Sequence, residues 1–272
     1  MINPRDVAFF IPPGLKKFKL ALFERIAKHV ADQGGMVIRH DYESLVAVAG
    51  HKIPIVGCSP PFKDAIQRWQ RDGVPWIYWD RGYLRRVFAT WLPKGSDMGL
   101  PGGFYRWHLG GFQMDHVRNV PADRWRALRL DPSLQRWHSG GDKIVIADTL
   151  PDYWDLRGLP RGWSAIAADR LRLFTDRPIV IRDKESRTPL YRELEGAHAL
   201  VTHGSIAAVE AVIMGCPVFV DRSSAAALVG LTDFALIEAP IYPDREAWLH
   251  SLAYCQFHEQ ELIDGTLWRL MA

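Results

Sequence analysis

Apolar and polar positions follow two rhythms along this chain. Val7–Ile11, Met36–Arg39, Ile53–Cys58 and Val74–Trp79 are short apolar runs bounded by Pro, Gly or charge, as in strands buried on both faces. Between the first two, Phe18, Leu22, Ile26 and Val30 recur every fourth position and predict a helix over Lys16–Gln33 that ends at Gly34-Gly35. Pro60-Pro61 restarts the chain into a second helix, Phe62–Arg71. Strand, helix and strand joined by short connections predict a parallel sheet with helices on both faces.

The rhythm breaks between Trp91 and Leu159. Glycines and prolines are dense there (Pro93, Gly95, Gly99, Pro101, Gly102, Gly103, Gly110, Gly111), which predicts loops and short strands forming one wall of a cleft. A second α/β series follows. Lys143–Ala147 is a strand, and Leu159–Trp163 leads into a helix ending near Leu173. Pro178–Arg182 is a strand and Pro189–Glu195 a short helix. Ala199–Thr202, Ile206–Met214 and Pro217–Val220 then read as strand, helix and strand, and the tail from Arg245 to Met271 as two helices broken near Gly265. The fold class expected is α/β, with two Rossmann-like halves whose parallel sheets face a cleft. The boundary falls between Gly110 and Asp142, giving an acceptor-side domain over 1–125 and a nucleotide-sugar domain over 126–272.

Composition changes this picture little. The chain has 272 residues, 48% hydrophobic and 24% charged, which is ordinary for a globular protein. There is no apolar run of 18 residues to predict a membrane span, and Met1–Asp6 leads straight into a strand, which leaves no room for a signal peptide. Cys58, Cys216 and Cys255 lie far apart and form no zinc spacing, so reduced buried thiols and a cytoplasmic location are expected. Charge is uneven. Residues 1–160 carry 23 Lys+Arg against 16 Asp+Glu (+7), and residues 161–272 carry 11 against 15 (−4), together the overall +3. A basic first half fits a polyanionic partner. Arg68-Trp69, Arg106-Trp107, Arg124-Trp125 and Arg136-Trp137 add pairs able to stack on bases or sugars, although packing at the edge of a core explains any one of them as well.

The segment Thr202-His203-Gly204-Ser205 stands at the end of an apolar strand and the start of a helix, where an α/β protein receives a phosphate. Ser205 suits the N-cap, and Glu210 is a carboxylate in an otherwise apolar helix. Arg182 and Lys184 end the preceding strand two residues apart, so they share a face if the strand persists to Lys184. Dinucleotide, P-loop, nucleophile-elbow and H-E-x-x-H signatures are all missing.

The run Arg182-Asp-Lys184 … Leu200-Val-Thr-His-Gly-Ser-Ile-Ala-Ala-Val-Glu210 … Gly215-Cys-Pro217-Val-Phe-Val resembles the nucleotide-sugar half of GT-B-type glycosyltransferases, most of all their capsule-polysaccharide branch. The resemblance covers about 70 residues from Ile179. It implies donor phosphates at Gly204 and Ser205, Glu210 near the donor, and structural roles for Gly215 and Pro217. It implies a nucleotide-sugar substrate, a UDP-sugar by preference, and no required metal. Trp79-Asp80-Arg81-Gly82-Tyr83, Tyr105-Arg106-Trp107-His108 and Ser251–Phe257 resemble small bacteriophage proteins of the same class.

Such an enzyme needs a base for the acceptor hydroxyl. Asp80, at the end of an apolar strand, is the first candidate, with pairing to Arg81 or Arg85 as its structural alternative. Asp115 with His116 comes second and His108 third. The leading reading is sugar transfer to hydroxymethylpyrimidines in double-stranded DNA. The alternatives are a transferase of capsule, lipopolysaccharide or other glycan synthesis, and a non-catalytic DNA- or sugar-binding module.

Overall fold

The computed structural model describes residues 2–57, 62–84, 103–128, 134–186 and 188–271. Cys58, Arg85 and the loop positions from Trp91 to Gly102 lie outside them. The chain divides into two compact units: described residues of 1–87, 101–112 and 253–272 form the first, and those of 113–252 the second.

The first unit is built on β1 (Val7–Ile11), β2 (Met36–Arg39), β3 (Ile53–Gly57) and β4 (Ile77–Arg81), all parallel, in the order β2-β1-β3-β4. β1 is flanked on both edges and every one of its residues is buried, which is why it reads as an unbroken apolar run. Helix α1 (Lys17–Asp32) sets Leu22, Phe23, Ile26 and Val30 against one face, where they meet Phe9, Ile55 and Trp79. α2 (Tyr42–Val48), capped by Asp41 on the Ser44 amide, precedes β3, and α3 (Lys63–Asp72) precedes β4. On the opposite face Phe10 meets Phe62 edge-on at 5.4 Å.

Beyond β4 this sheet departs from the expectation of purely parallel strands. β5 (Phe104–Leu109) pairs antiparallel with β4, and a three-residue strand from the C-terminal tail, Gln256–His258, pairs antiparallel with β5. The tail is therefore helix, strand, helix rather than two helices. Phe257 is fully buried among the aromatic side chains of this core, and burying it needs an extended backbone at the sheet edge. This pairing also returns the tail to the first unit, so the contact boundaries differ from the contiguous 1–125 and 126–272.

The second unit repeats the same strand order. α4 (Asp123–Ala127) precedes its first strand, β6 (Lys143–Ala147). α5 (Pro151–Arg157) and α6 (Trp163–Leu171) lead to β7 (Ile179–Arg182), and α7 (Leu190–Glu193) leads to β8 (Ala197–Thr202). α8 (Ala207–Ile213) crosses to β9 (Val218–Val220), and α9 (Glu246–Tyr254) follows. The tail then runs through β10 (the Gln256–His258 strand) and α10 (Thr266–Leu270), which belong to the first unit. The order β7-β6-β8-β9 is parallel throughout. α6 packs Ala167, Ala168 and Leu171 on Ile144, Ile146, Val201 and Phe219.

Cys216 and Cys255 are buried free thiols, and burial pushes the Cys216 thiol up to about 12. Among the described residues no helix is long and apolar enough to cross a membrane.

Candidate functional site

In the second sheet the chain leaves β6 towards β7 on one side, then crosses back to place β8 on the other. Ligands of open α/β sheets bind at such a reversal, outside the carboxyl ends of the two strands. Those ends carry Asp148-Thr149 after β6 and His203-Gly204-Ser205 after β8. The Asp148 carboxylate accepts hydrogen bonds from the Thr149 amide (2.7 Å) and the Ser164 hydroxyl (2.7 Å). Thr202 donates to the Ala147 carbonyl at 2.7 Å, tying the two strand ends together.

Beside them lies a pocket of about 160 Å³ lined by Thr202, His203, Asp221, Trp163, Arg170 and Phe234, among others. His203 stands edge-on to Trp163 (5.8 Å) and to Tyr153 (6.3 Å). Its Nε2 is 3.8 Å from the Asp221 carboxylate, which also lies 3.9 Å from the largely buried guanidinium of Arg157. Burial lowers the His203 pKa, the Asp221 charge partly restores it, and Arg157 adds to the lowering, so a neutral imidazole faces the pocket. Burial alone would raise the Asp221 carboxyl. Hydrogen bonds from the Ser223 hydroxyl and amide, with the charges of His203 and Arg157, outweigh it and hold the group below its usual range.

Gly204 is needed for close approach. A Cβ there would lie 2.3 Å from the Tyr153 hydroxyl. Ser205 is not the N-cap its sequence position suggests: that place falls to Ile206, without a side-chain cap, and Ser205 accepts a 3.3 Å bond from the Ala207 amide one residue further on. Glu210 is buried inside α8, only 3% exposed.

The two expected cations are placed differently. β7 ends at Arg182, so Lys184 lies on a turn and the alternation that would aim both at one spot does not extend to it. The Arg182 guanidinium pairs with Glu193 at 2.9 Å and donates to the Thr188 carbonyl, and β6 separates its strand from β8.

In the first unit Asp80 sits at the carboxyl end of β4 as expected, and its carboxylate pairs with Arg106 on the neighbouring β5, at 2.9 Å. The backbone amide of Arg81 and the Tyr78 hydroxyl also donate to the carboxylate, and Arg85 lies outside the described residues. Arg106 is buried and also donates to the Arg81 and Phe112 carbonyls. A buried guanidinium needs a counter-charge, and Asp80 supplies one. Asp80→Asn should therefore cost about 1–3 kcal/mol of stability, read by urea unfolding. Unchanged stability with turnover lost would instead assign the carboxylate to the acceptor. Asp115 and His116 bond each other at 2.7 Å on an open surface. His108 is buried on β5 with Tyr83 at 2.8 Å, and its pKa is lowered to about 3 by burial and then by Arg106.

Sequence reasoning passed over Trp163, Tyr153, Arg157, Asp148 and Asp221. The last two follow apolar strands just as Asp80 does, so the same rule reaches them. Of the Arg-Trp pairs, Trp69 and Trp107 are buried in the core, and Trp137 donates to the Pro243 carbonyl beneath the Arg245 guanidinium. Half-buried Trp125, on α4, is the remaining candidate for stacking.

Two α/β units, each with its first strand at the point where the strand order reverses, make a two-domain Rossmann-like fold of the GT-B kind. Among solved structures the chain is similar to the β-Kdo 2,7 transferase of Thermosulfurimonas dismutans KpsC, with a TM-score of 0.53 and 13% identity. It is likewise similar to the β-Kdo 2,4 transferase of the same KpsC, with a TM-score of 0.50 and 10% identity, and both matches cover 98% of each chain. No protein-family model matches the chain, and no curated protein does.

Proposed function

We propose that the protein is a glycosyltransferase that takes a nucleotide-sugar donor in its second unit and delivers the sugar to a saccharide acceptor. The observation that carries this reading is the pocket at the carboxyl ends of β8 and β9, where Thr202, His203 and Asp221 meet beside the turn at Gly204. Hydroxyl, imidazole and carboxylate groups suit a sugar and its phosphates, and Trp163 and Phe234 offer flat apolar walls. The fold, shared with two Kdo transferases, supports the reaction class. In this reading the donor phosphates lie against the Gly204-Ser205 turn, with Glu210 behind it in α8. Arg182 holds Glu193 rather than phosphate.

Transfer to hydroxymethylated DNA is the second reading, and the +7 charge of residues 1–160 is the observation in its favour. Burial of Trp69 and Trp107 removes two of its stacking platforms, which places the saccharide acceptor first. One assay separates the two. The protein is offered a panel of nucleotide sugars with capsule-type oligosaccharides in one arm and hydroxymethylated duplex DNA in the other, and acceptor mass is measured. The expected result is a gain of one sugar on a saccharide. A gain on DNA reverses the order, and donor that stays intact in both arms, with no nucleotide binding by calorimetry, refutes the transferase.

A further inference from the structure

Gln113 is the first described residue of the second unit, and it is 5% exposed. Its amide nitrogen donates to the Gly204 carbonyl at 2.6 Å, and its amide oxygen accepts from the Ala225 backbone amide at 3.0 Å. These two contacts belong to different loops. Gly204 follows His203 in the turn after β8, whereas Ala225 begins the short 3-10 turn (Ala225–Leu228) that follows Asp221 beyond β9. Both loops line the pocket, and they are otherwise joined by the Asp221 amide donating to the His203 carbonyl at 2.9 Å and by the 3.8 Å approach of His203 Nε2 to the Asp221 carboxylate. A primary amide suits this place because it is donor and acceptor at once. A carboxylate lacks the donor and an apolar side chain lacks both. We infer that Gln113 is a positioning residue for the donor pocket, clasping the loop that carries His203 to the loop that carries Asp221.

The inference rests on the donor reading above, and its test separates the two. Binding of UDP and of CMP is measured by calorimetry for the wild type, Gln113→Met and Gln113→Glu, at pH 8 and pH 6, with circular dichroism and melting as fold controls. Gln113→Met should weaken the nucleotide that the wild type holds by roughly tenfold at both pH values, the loss of a hydrogen bond that shapes a site. Gln113→Glu should weaken it similarly at pH 8 and recover towards wild type at pH 6. A carboxyl buried here titrates high, and once protonated it again has a donor for the Gly204 carbonyl. A clasp that served the fold alone would lower the melting temperature of both variants and leave affinity unchanged, which overturns the inference. Should Gln113→Met not fold, the pH recovery of Gln113→Glu decides alone. A wild type that binds neither nucleotide overturns the donor reading itself, and the inference with it.

Discussion

Acidification from pH 6.5 to pH 4 should cost the protein about 3 kcal/mol of stability through His108 alone. The imidazole is buried on β5, accepts or donates a 2.8 Å bond with the Tyr83 hydroxyl, and lies near the Arg106 cation. Burial first, and Arg106 second, hold its folded pKa at about 3 against 6.5 for an unperturbed histidine. Between those values the unfolded chain binds a proton that the folded protein refuses, so stability rises with pH across the window. The contribution is complete above pH 6.5 and is lost as pH falls towards 3. His29 and His203 are also lowered, mainly by burial, and act with the same sign, so a variant must isolate the residue. Urea unfolding of wild type and His108→Gln at pH 7 and pH 4 does this. Glutamine retains a polar partner for Tyr83 and cannot titrate, so the variant should lose markedly less stability than wild type over the same interval. Equal losses would place the acid sensitivity elsewhere.

The same neighbourhood shows what the sequence conveys and what it withholds. β1, β2 and β6 run between the residues their apolar runs predict, because strands buried on both faces write an unbroken hydrophobic word. α2 and α5, seven residues each, are too short to show a helical period, and the three residues of β10 are too few to show alternation. Charge pairing is harder still. That Asp80 answers Arg106 depends on the antiparallel register of β4 and β5, which no spacing rule gives. At the candidate site the strand-end turn was legible, since an apolar strand running into Thr202–Ser205 follows from local chemistry. What surrounds it was not. Gln113 meets Gly204 and Ala225 across 91 and 112 positions, and only the folded chain brings them together.

Gly215, at the end of α8, should tolerate alanine worse than any surface glycine of this unit. Its φ is +81°, the left-handed region in which a side chain costs about 1–2 kcal/mol. A Cβ would also stand 2.0 Å from the Arg136 carbonyl oxygen, so something must move. Neither side is free to do so. The Gln135 and His138 amides bond the Ile213 and Gly215 carbonyls at 2.8 and 2.9 Å. Arg245, itself buried, bonds the Val212 and Gln135 carbonyls and lies 3.9 Å from the centre of the Trp137 ring. Forcing backbone apart in so fixed a place adds about 1–3 kcal/mol to the strain, and Gly215→Ala should lose about 2–5 kcal/mol in all. Gly140 supplies the control. Its φ is +79°, and nothing lies within 4 Å of the position a Cβ would take. Gly140→Ala should therefore show the conformational cost alone, about 1 kcal/mol. Urea unfolding of the two variants measures the difference directly, and equal losses would mean that the Arg136 segment gives way and the packing of α8 against it contributes nothing to the penalty.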